Sequence, residues 1–458
     1  MKTYNSIKII LILTLAAWFS ACESFTEVDL PQSQLTGEAV YNDAATATAA
    51  LSDIYARMRE SGLVSANGQG LSALMASYSD ELVVYSSSSA AAPYYNHTVS
   101  ATNSSVANFW NTGYGQIYAA NALIEGLENS ETIETADKEK LKGEALFIRA
   151  LLHFHLMNVF GKIPYITTTD YHVNAMVSRQ SIPEVYEAVI ADLLQAKMLL
   201  PDEYAVSFRV RPNKAAASAL LARIYLYNEN WDLAAAEAST VIGNTLYVIV
   251  QDPAAVFLKE SSEAIWSLHA GLAGANTIDA RTFVFTATPP PFFALDNSLV
   301  NAFSAGDFRR ANWIGSATNG TNTWYYPFKY KQIINTGTSK EFTIMLRLSE
   351  QYLIRAEALA HLGDIDGARS DLNVIRHRAG LSDNVSTNPA DLLDAIMAER
   401  RLELFTEQGH RWFDLVRTNK AAMVIGAIKP SWDATHLLFP LPETEILLNS
   451  NLYQNPGY

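Results

Sequence analysis

The sequence predicts a mostly α-helical fold in which helical hairpins form the scaffold and long loop-rich insertions interrupt it. Three observations lead there. Apolar residues recur at helical spacing through much of the chain, as at Leu141, Ala145, Ile148 and Leu152. Two stretches, Pro212 to Val241 and Leu348 to Ala379, each read as two helices joined by a short polar turn. Two others, Ser86 to Ser105 and Gly271 to Thr338, lack a helical period yet carry prolines and aromatics, as long functional loops do.

Composition allows a large core. Of 458 residues, 49% are hydrophobic and 17% charged, a globular and not a disordered balance. The 22 Tyr and 8 Trp belong mostly to that core, and any on loops would suit ligand stacking. The net charge is −14, and loss of Lys2 and Lys8 with a cleaved leader brings it near −16. Such a surface repels phosphate backbones, which excludes nucleic acid as a partner. It also opposes charge-driven binding to anionic lipid or anionic substrates.

The elements follow in order. Lys2 and Lys8 flank the start of an apolar run, Ile9 to Phe19, which is too short to span a bilayer. The run ends in Phe19-Ser20-Ala21-Cys22, small residues before the only Cys in the chain. This predicts a lipoprotein signal peptide over 1–21 and acylation of Cys22. Residues 22–36, with Glu23, Glu27 and Asp29, read as a flexible tether. With Cys22 acylated, the mature chain has no disulfide, thiol nucleophile or Cys-based metal site.

An N-terminal helical region is expected over 37–245. The helix through Leu141 to Leu156 is apolar on several faces, so it is buried nearly all round, and Gly161 and Pro164 end it. Glu184 to Leu200 is the next, stopped by Pro201. Pro212 is placed in the first turn of a helix striped by Ala216, Leu220, Ile224 and Tyr227. Asn228 to Asn230 breaks it before Trp231 and a second helix, Leu233 to Val241. A loop-rich segment spans 246–340, and a C-terminal region over 341–458 packs as one unit with the first. In that region Tyr352, Ala356 and Leu359 stripe one helix, and Gly363-Asp364 turns the chain. Ala368, Leu372, Ile375 and Ala379 stripe the next, with Gly380 past its end and Leu381 as hydrophobic partner. The two hairpins are tetratricopeptide-like, each about 34 residues long. Two do not make an unbroken array, so the expectation is a helical scaffold with large insertions.

Candidate chemistry is sparse. Glu399 and Glu403 continue the apolar stripe of Leu392 and Ile396 behind an Asn388-Pro389 cap. Buried carboxylates need partners, and Arg400, Arg411 and Arg417 are near in sequence, so a structural ion network is preferred over a catalytic pair. His153 and His155 point about 200° apart on a helix and cannot share a metal. No metal-ligand, phosphate-loop or nucleophile motif is present, so neither cofactor nor metal is expected. Asp307, Arg309 and Trp313 read as a structural turn. Tyr94, Tyr95, Asn96, Trp324, Tyr325 and Tyr326 differ: they sit on loops beside Pro and small polar residues, with no helical stripe to claim them. Flat aromatic faces suit sugar rings, and these six are the expected ligand-binding surface. A rival reading, a surface glycan hydrolase, needs two carboxylates about 5–10 Å apart in a cleft. Asp80 and Glu81 are its best candidates.

Finally, several motifs occur in register. Trp110, Tyr114, Ile117 and Asn121 precede Gly143-Glu144-Ala145 with Phe147, Arg149-Ala150, Phe154, Gly161 and Pro164. Leu221-Ala222-Arg223, Tyr225-Leu226 and Trp231 follow. Arg347-Leu348, Glu350, Tyr352-Leu353 and Ala356-Glu357-Ala358 come next. Glu399-Arg400-Arg401, Glu403-Leu404, Arg411, Asp414-Leu415 and Arg417 lead to a Gln454-Asn455-Pro456-Gly457-Tyr458 end. Together, over nearly the whole chain, these resemble the SusD/RagB family of outer-membrane nutrient-binding lipoproteins. The resemblance implies a non-enzymatic binder, anchored through Cys22 to the outer membrane and facing the cell surface. It implies a TonB-dependent SusC-like barrel as partner and glycan oligomers as cargo, with oligopeptides as the RagB-type alternative. The family's ligand contacts fall in the Ser-rich loop and the variable middle, where the match is poorest.

Overall fold

In the computed structural model, which describes residues 40–458, several helices begin where a capping side chain precedes an apolar period. The eleven described helices of eight or more residues are α1 (Ala44–Glu60), α2 (Leu71–Tyr78), α3 (Ser104–Asn129), α4 (Thr135–Phe160), α5 (Ile182–Leu199), α6 (Lys214–Tyr227), α7 (Trp231–Ile242), α8 (Leu348–Leu362), α9 (Ile365–Arg378), α10 (Pro389–Leu404) and α11 (His410–Arg417). Asn103 caps α3, a Ser181/Glu184 capping box opens α5, Asp364 caps α9 and Asn388 caps α10. Pro212 is not in the first turn of α6. Asn213 takes the cap, accepting the Ala216 N–H, and leaves Pro212 just outside the helix. Cys22, the leader over 1–21 and the tether over 22–36 lie outside the described residues.

Helices α3 to α10 stack in sequence order, each against the next. The α4 helix lies between α3 and α5, which is why it is buried on nearly every face. The two hairpins, α6–α7 and α8–α9, are not separate units. Helix α7 packs directly on α8, and Trp231 stacks flat on His361 with ring centroids 3.9 Å apart. The array is therefore continuous in space although residues 243–347 interrupt it in sequence.

Among the described residues, six short strands form three antiparallel ribbons: β1 (Leu82–Val84) with β3 (Phe293–Leu295), β2 (Ala264–Leu268) with β6 (Thr343–Arg347), and β4 (Ile314–Thr318) with β5 (Thr323–Pro327). The β2–β6 ribbon closes the neck of the long insertion, pairing Leu268 with Thr343.

A buried ion network locks the insertion to the array. Glu403 meets Arg309, Arg347 and Arg378, and Glu399 meets Arg309 and Arg376. Arg309 is also held by Asp307, and Arg378 by Glu263. The expected structural role stands, but the partners differ from those nearest in sequence. Arg400 and Arg417 both bind Asp414, Arg417 also binds Glu357, and Arg411 binds Asp80. A carboxylate on the inner face of α10 meets what lies across the core, whereas the local arginines point elsewhere. The two histidines of α4 are also core groups. His153 Nδ1 faces the Arg149 carbonyl and its Nε2 accepts the Ile166 N–H, while His155 is buried beside Phe154 and Phe413.

Candidate functional site

The two aromatic segments, about 230 residues apart in the chain, meet through the small ribbons. β1 pairs with β3, and β3 lies alongside β5. A short turn, Ala92–Tyr95, packs against β1. Successive residues in such a turn face different directions, and here that separates two neighbours. Tyr94 points inward, with 0% exposure, against Phe439 at 5.3 Å and Tyr78 at 6.3 Å. It is a core residue, and its assignment to the ligand surface is corrected. Tyr95 is half-buried at the surface and Asn96 is exposed.

Trp324, Tyr325 and Tyr326 lie on β5, a strand of a hairpin and not an irregular loop. Strand alternation puts Trp324 and Tyr326 on one face and Tyr325 on the other. All three are half-buried. Tyr326 contacts Phe285 at 4.9 Å and Phe328 at 5.7 Å, while Tyr325 lies under the Arg310 guanidinium. Two further aromatics join the patch. Tyr85, 44% exposed, donates its N–H to the Phe292 carbonyl at 2.7 Å, and Phe292 is 54% exposed. Phe292 stood in a visible Pro-Pro-Pro-Phe-Phe run, but Tyr85 follows a strand too short to show a period.

The carboxylates beside this surface are not an open catalytic pair. Asp80 is chelated by Arg411 at 2.7 and 2.8 Å and held by Arg401 at 2.9 Å. Burial pushes its carboxyl up, but the two arginines outweigh this and hold it below the usual range. Glu81 is buried and accepts the Thr406 N–H. Burial and then the neighbouring Asp80 charge push it up to about 8. One carboxyl locked in an ion pair and one sealed in the core cannot flank a glycosidic bond, which removes the basis of the hydrolase reading. Among the described residues, no group of three or more His, Cys, Asp or Glu side chains could hold a metal. No described helix is long and apolar enough to cross a membrane.

Comparison with known proteins gives consistent matches. Residues 31–226 match a family described as "Starch-binding associating with outer membrane", and residues 308–458 match the "SusD family". The "SusD-like protein P2" of Formosa agariphila is 28% identical, covering 100% of both chains. The "Starch-binding protein SusD" of Bacteroides thetaiotaomicron is 25% identical over 72% of this chain and 75% of its own. A SusD superfamily structure from Bacteroides vulgatus superposes with a TM-score of 0.80 at 21% identity, covering 91% of this chain and 99% of its own; this is a likeness of fold. A "Laminarin binding SusD-like protein" superposes with a TM-score of 0.75 at 26% identity, covering 91% and 99%.

Proposed function

This chain belongs to the SusD/RagB family, and from that premise we propose that it binds carbohydrate at the outer membrane, capturing glycan oligomers and delivering them to a TonB-dependent SusC-like transporter. The observation that carries the reading is that β1 pairs with β3 and β3 neighbours β5, which brings the two aromatic segments into one part of the fold, with Tyr95, Asn96 and Tyr85 on the β1 side and Phe292, Trp324 and Tyr326 on the β3–β5 side. Aromatic faces stack on the apolar faces of sugar rings, and the Asn96 amide hydrogen-bonds hydroxyls. Relatives named for binding starch and laminarin support the cargo class. The matched family's association with the outer membrane supports the location. In this reading Cys22 carries the lipid anchor, and the protein binds without cleaving.

Calorimetry with an oligosaccharide drawn from a glycan screen tests the surface. Trp324→Ala and Tyr95→Ala should each cost about 2 kcal/mol, a roughly thirtyfold loss of affinity, with thermal melts like the parent. Parent-like melts with affinities within about twofold of the parent would place the ligand elsewhere. Mass spectrometry of the mature N-terminus tests the anchor: an acylated Cys22 is expected, and a chain starting elsewhere defeats it.

A further inference from the structure

The proposed glycan surface contains a cation that has no ion-pair partner among the described residues. The Lys429 ammonium sits 3.2 Å from the centroid of the Tyr95 ring, a cation–π contact. Only 8% of Lys429 is exposed, so burial strips part of its hydration. Among the described residues no hydrogen-bond or ion-pair partner replaces it. The charges nearby are engaged elsewhere. Asp80 belongs to Arg401 and Arg411, and Asp296 caps a short helix through the Ser298 N–H. His97 is packed against the Tyr78 carbonyl, and burial lowers its pKa to about 4, so it is neutral. Burial lowers the Lys429 pKa to about 8, against the pull of Asp296 and Asp80, which still leaves the side chain mostly charged at neutral pH. A second ammonium, Lys331, lies 5.6 Å over Phe328, the ring that contacts Tyr326.

A cation that is partly stripped of water and has no bonded anion among the described residues is a receptor for an oxyanion, because a charge-assisted hydrogen bond restores what burial removed. We propose that Lys429 makes this surface selective for glycans that carry an acidic substituent, a uronate carboxylate or a sulfate ester. The oxyanion seats on the ammonium while the sugar ring lies against the neighbouring aromatics. The inference rests on the glycan-binding reading above. The chain's net charge of −14 opposes polyanions at long range, so the selectivity is a contact effect that emerges once long-range repulsion is screened, at about 0.15 M salt.

The test measures binding of the mature chain to three probes at that salt: laminarin oligomers (neutral), oligogalacturonides (carboxylated) and ι-carrageenan oligomers (sulfated). The parent should bind at least one acidic probe about tenfold more tightly than laminarin, and the probe preferred identifies the oxyanion. Lys429→Met, which keeps the stem and removes the charge, should erase the preference without changing the melt, whereas Lys429→Arg should keep it. Should Lys429→Met fold poorly, a pH series decides. From pH 7 to 9 the parent loses its preference as the ammonium deprotonates, and Lys429→Arg retains it. Glu81 titrates in the same window but is common to both proteins, Asp80 is held below the usual carboxylate range by Arg411 and Arg401, and those two guanidiniums stay charged. A parent that binds laminarin as tightly as both acidic probes overturns the inference, as does a preference that survives in Lys429→Met. Binding to laminarin alone overturns it and leaves the glycan reading standing. Binding to none of the three overturns it too, and the wider glycan screen then decides the glycan reading separately.

Discussion

At the scale of single residues, Glu403 sits at the centre of a buried cluster of guanidiniums. It is fully buried and meets three guanidiniums, with Arg309 Nη1 at 3.0 Å. Burial alone would raise its pKa, but Arg378, Arg347 and Arg309 outweigh that and hold it well below 4.5. A depressed carboxyl stabilises the fold above its unfolded pKa and loses that contribution as pH falls through the folded value. Glu403→Ala should therefore cost roughly 3–5 kcal/mol near neutral pH, because it strands buried guanidiniums. Denaturant titrations should find that deficit constant above about pH 4.5 and shrinking below it. A deficit under about 1 kcal/mol would mean that the arginines find other anions. The need for partners was legible from carboxylates on an apolar stripe. Their identity was not, because Arg309, Arg347 and Arg378 come from three other segments. Tyr94 and Tyr95 teach the same lesson: adjacent tyrosines on one turn, one in the core and one at the surface, with too few residues for a period to tell them apart.

At the scale of elements, the C-terminus of α9 closes as a Schellman motif. The Gly380 N–H donates to the His377 carbonyl and the Leu381 N–H to the Arg376 carbonyl. Gly380 has φ +76, and a Cβ there would lie 2.7 Å from the Phe308 ring; Gly363, ending α8 at φ +85, has open space. Gly363→Ala should cost about 1–2 kcal/mol for the left-handed backbone alone. Gly380→Ala should cost more, because Phe308 must also move. Equal losses in chemical denaturation would show that Phe308 moves without penalty. Hairpins such as this one were legible because caps, turns and the 3.6-residue period are all local signals. The pairing of β1 with β3 was not, since it joins two three-residue strands from distant parts of the chain. For the same reason the two aromatic segments could be named from the sequence, but the ribbons that unite them could not.

At the scale of the molecule, ion pairs tie the segments to one another. Arg223 of α6 binds Glu350 of α8 at 2.6 Å, Lys329 of the insertion binds Glu407 at 2.5 Å, and Asp80 binds Arg411 of α11. Trp266, Trp313 and Trp412 are buried in separate stretches of sequence. Unfolding should thus be one transition, with near-ultraviolet dichroism from these indoles and far-ultraviolet dichroism from the helices sharing a midpoint. An indole signal lost first would mark the insertion as an independently melting unit. The β2–β6 neck has one more consequence. Because Leu268 and Thr343 stand opposite each other, everything between them leaves and re-enters the scaffold at a single seam. A whole cassette can be exchanged there without moving the points at which the chain leaves and rejoins the helices. The cassette is not free in composition, however. It must bring its own cations to the places of Arg309 and Lys329, or the waiting carboxylates of Glu399, Glu403 and Glu407 will reject the graft.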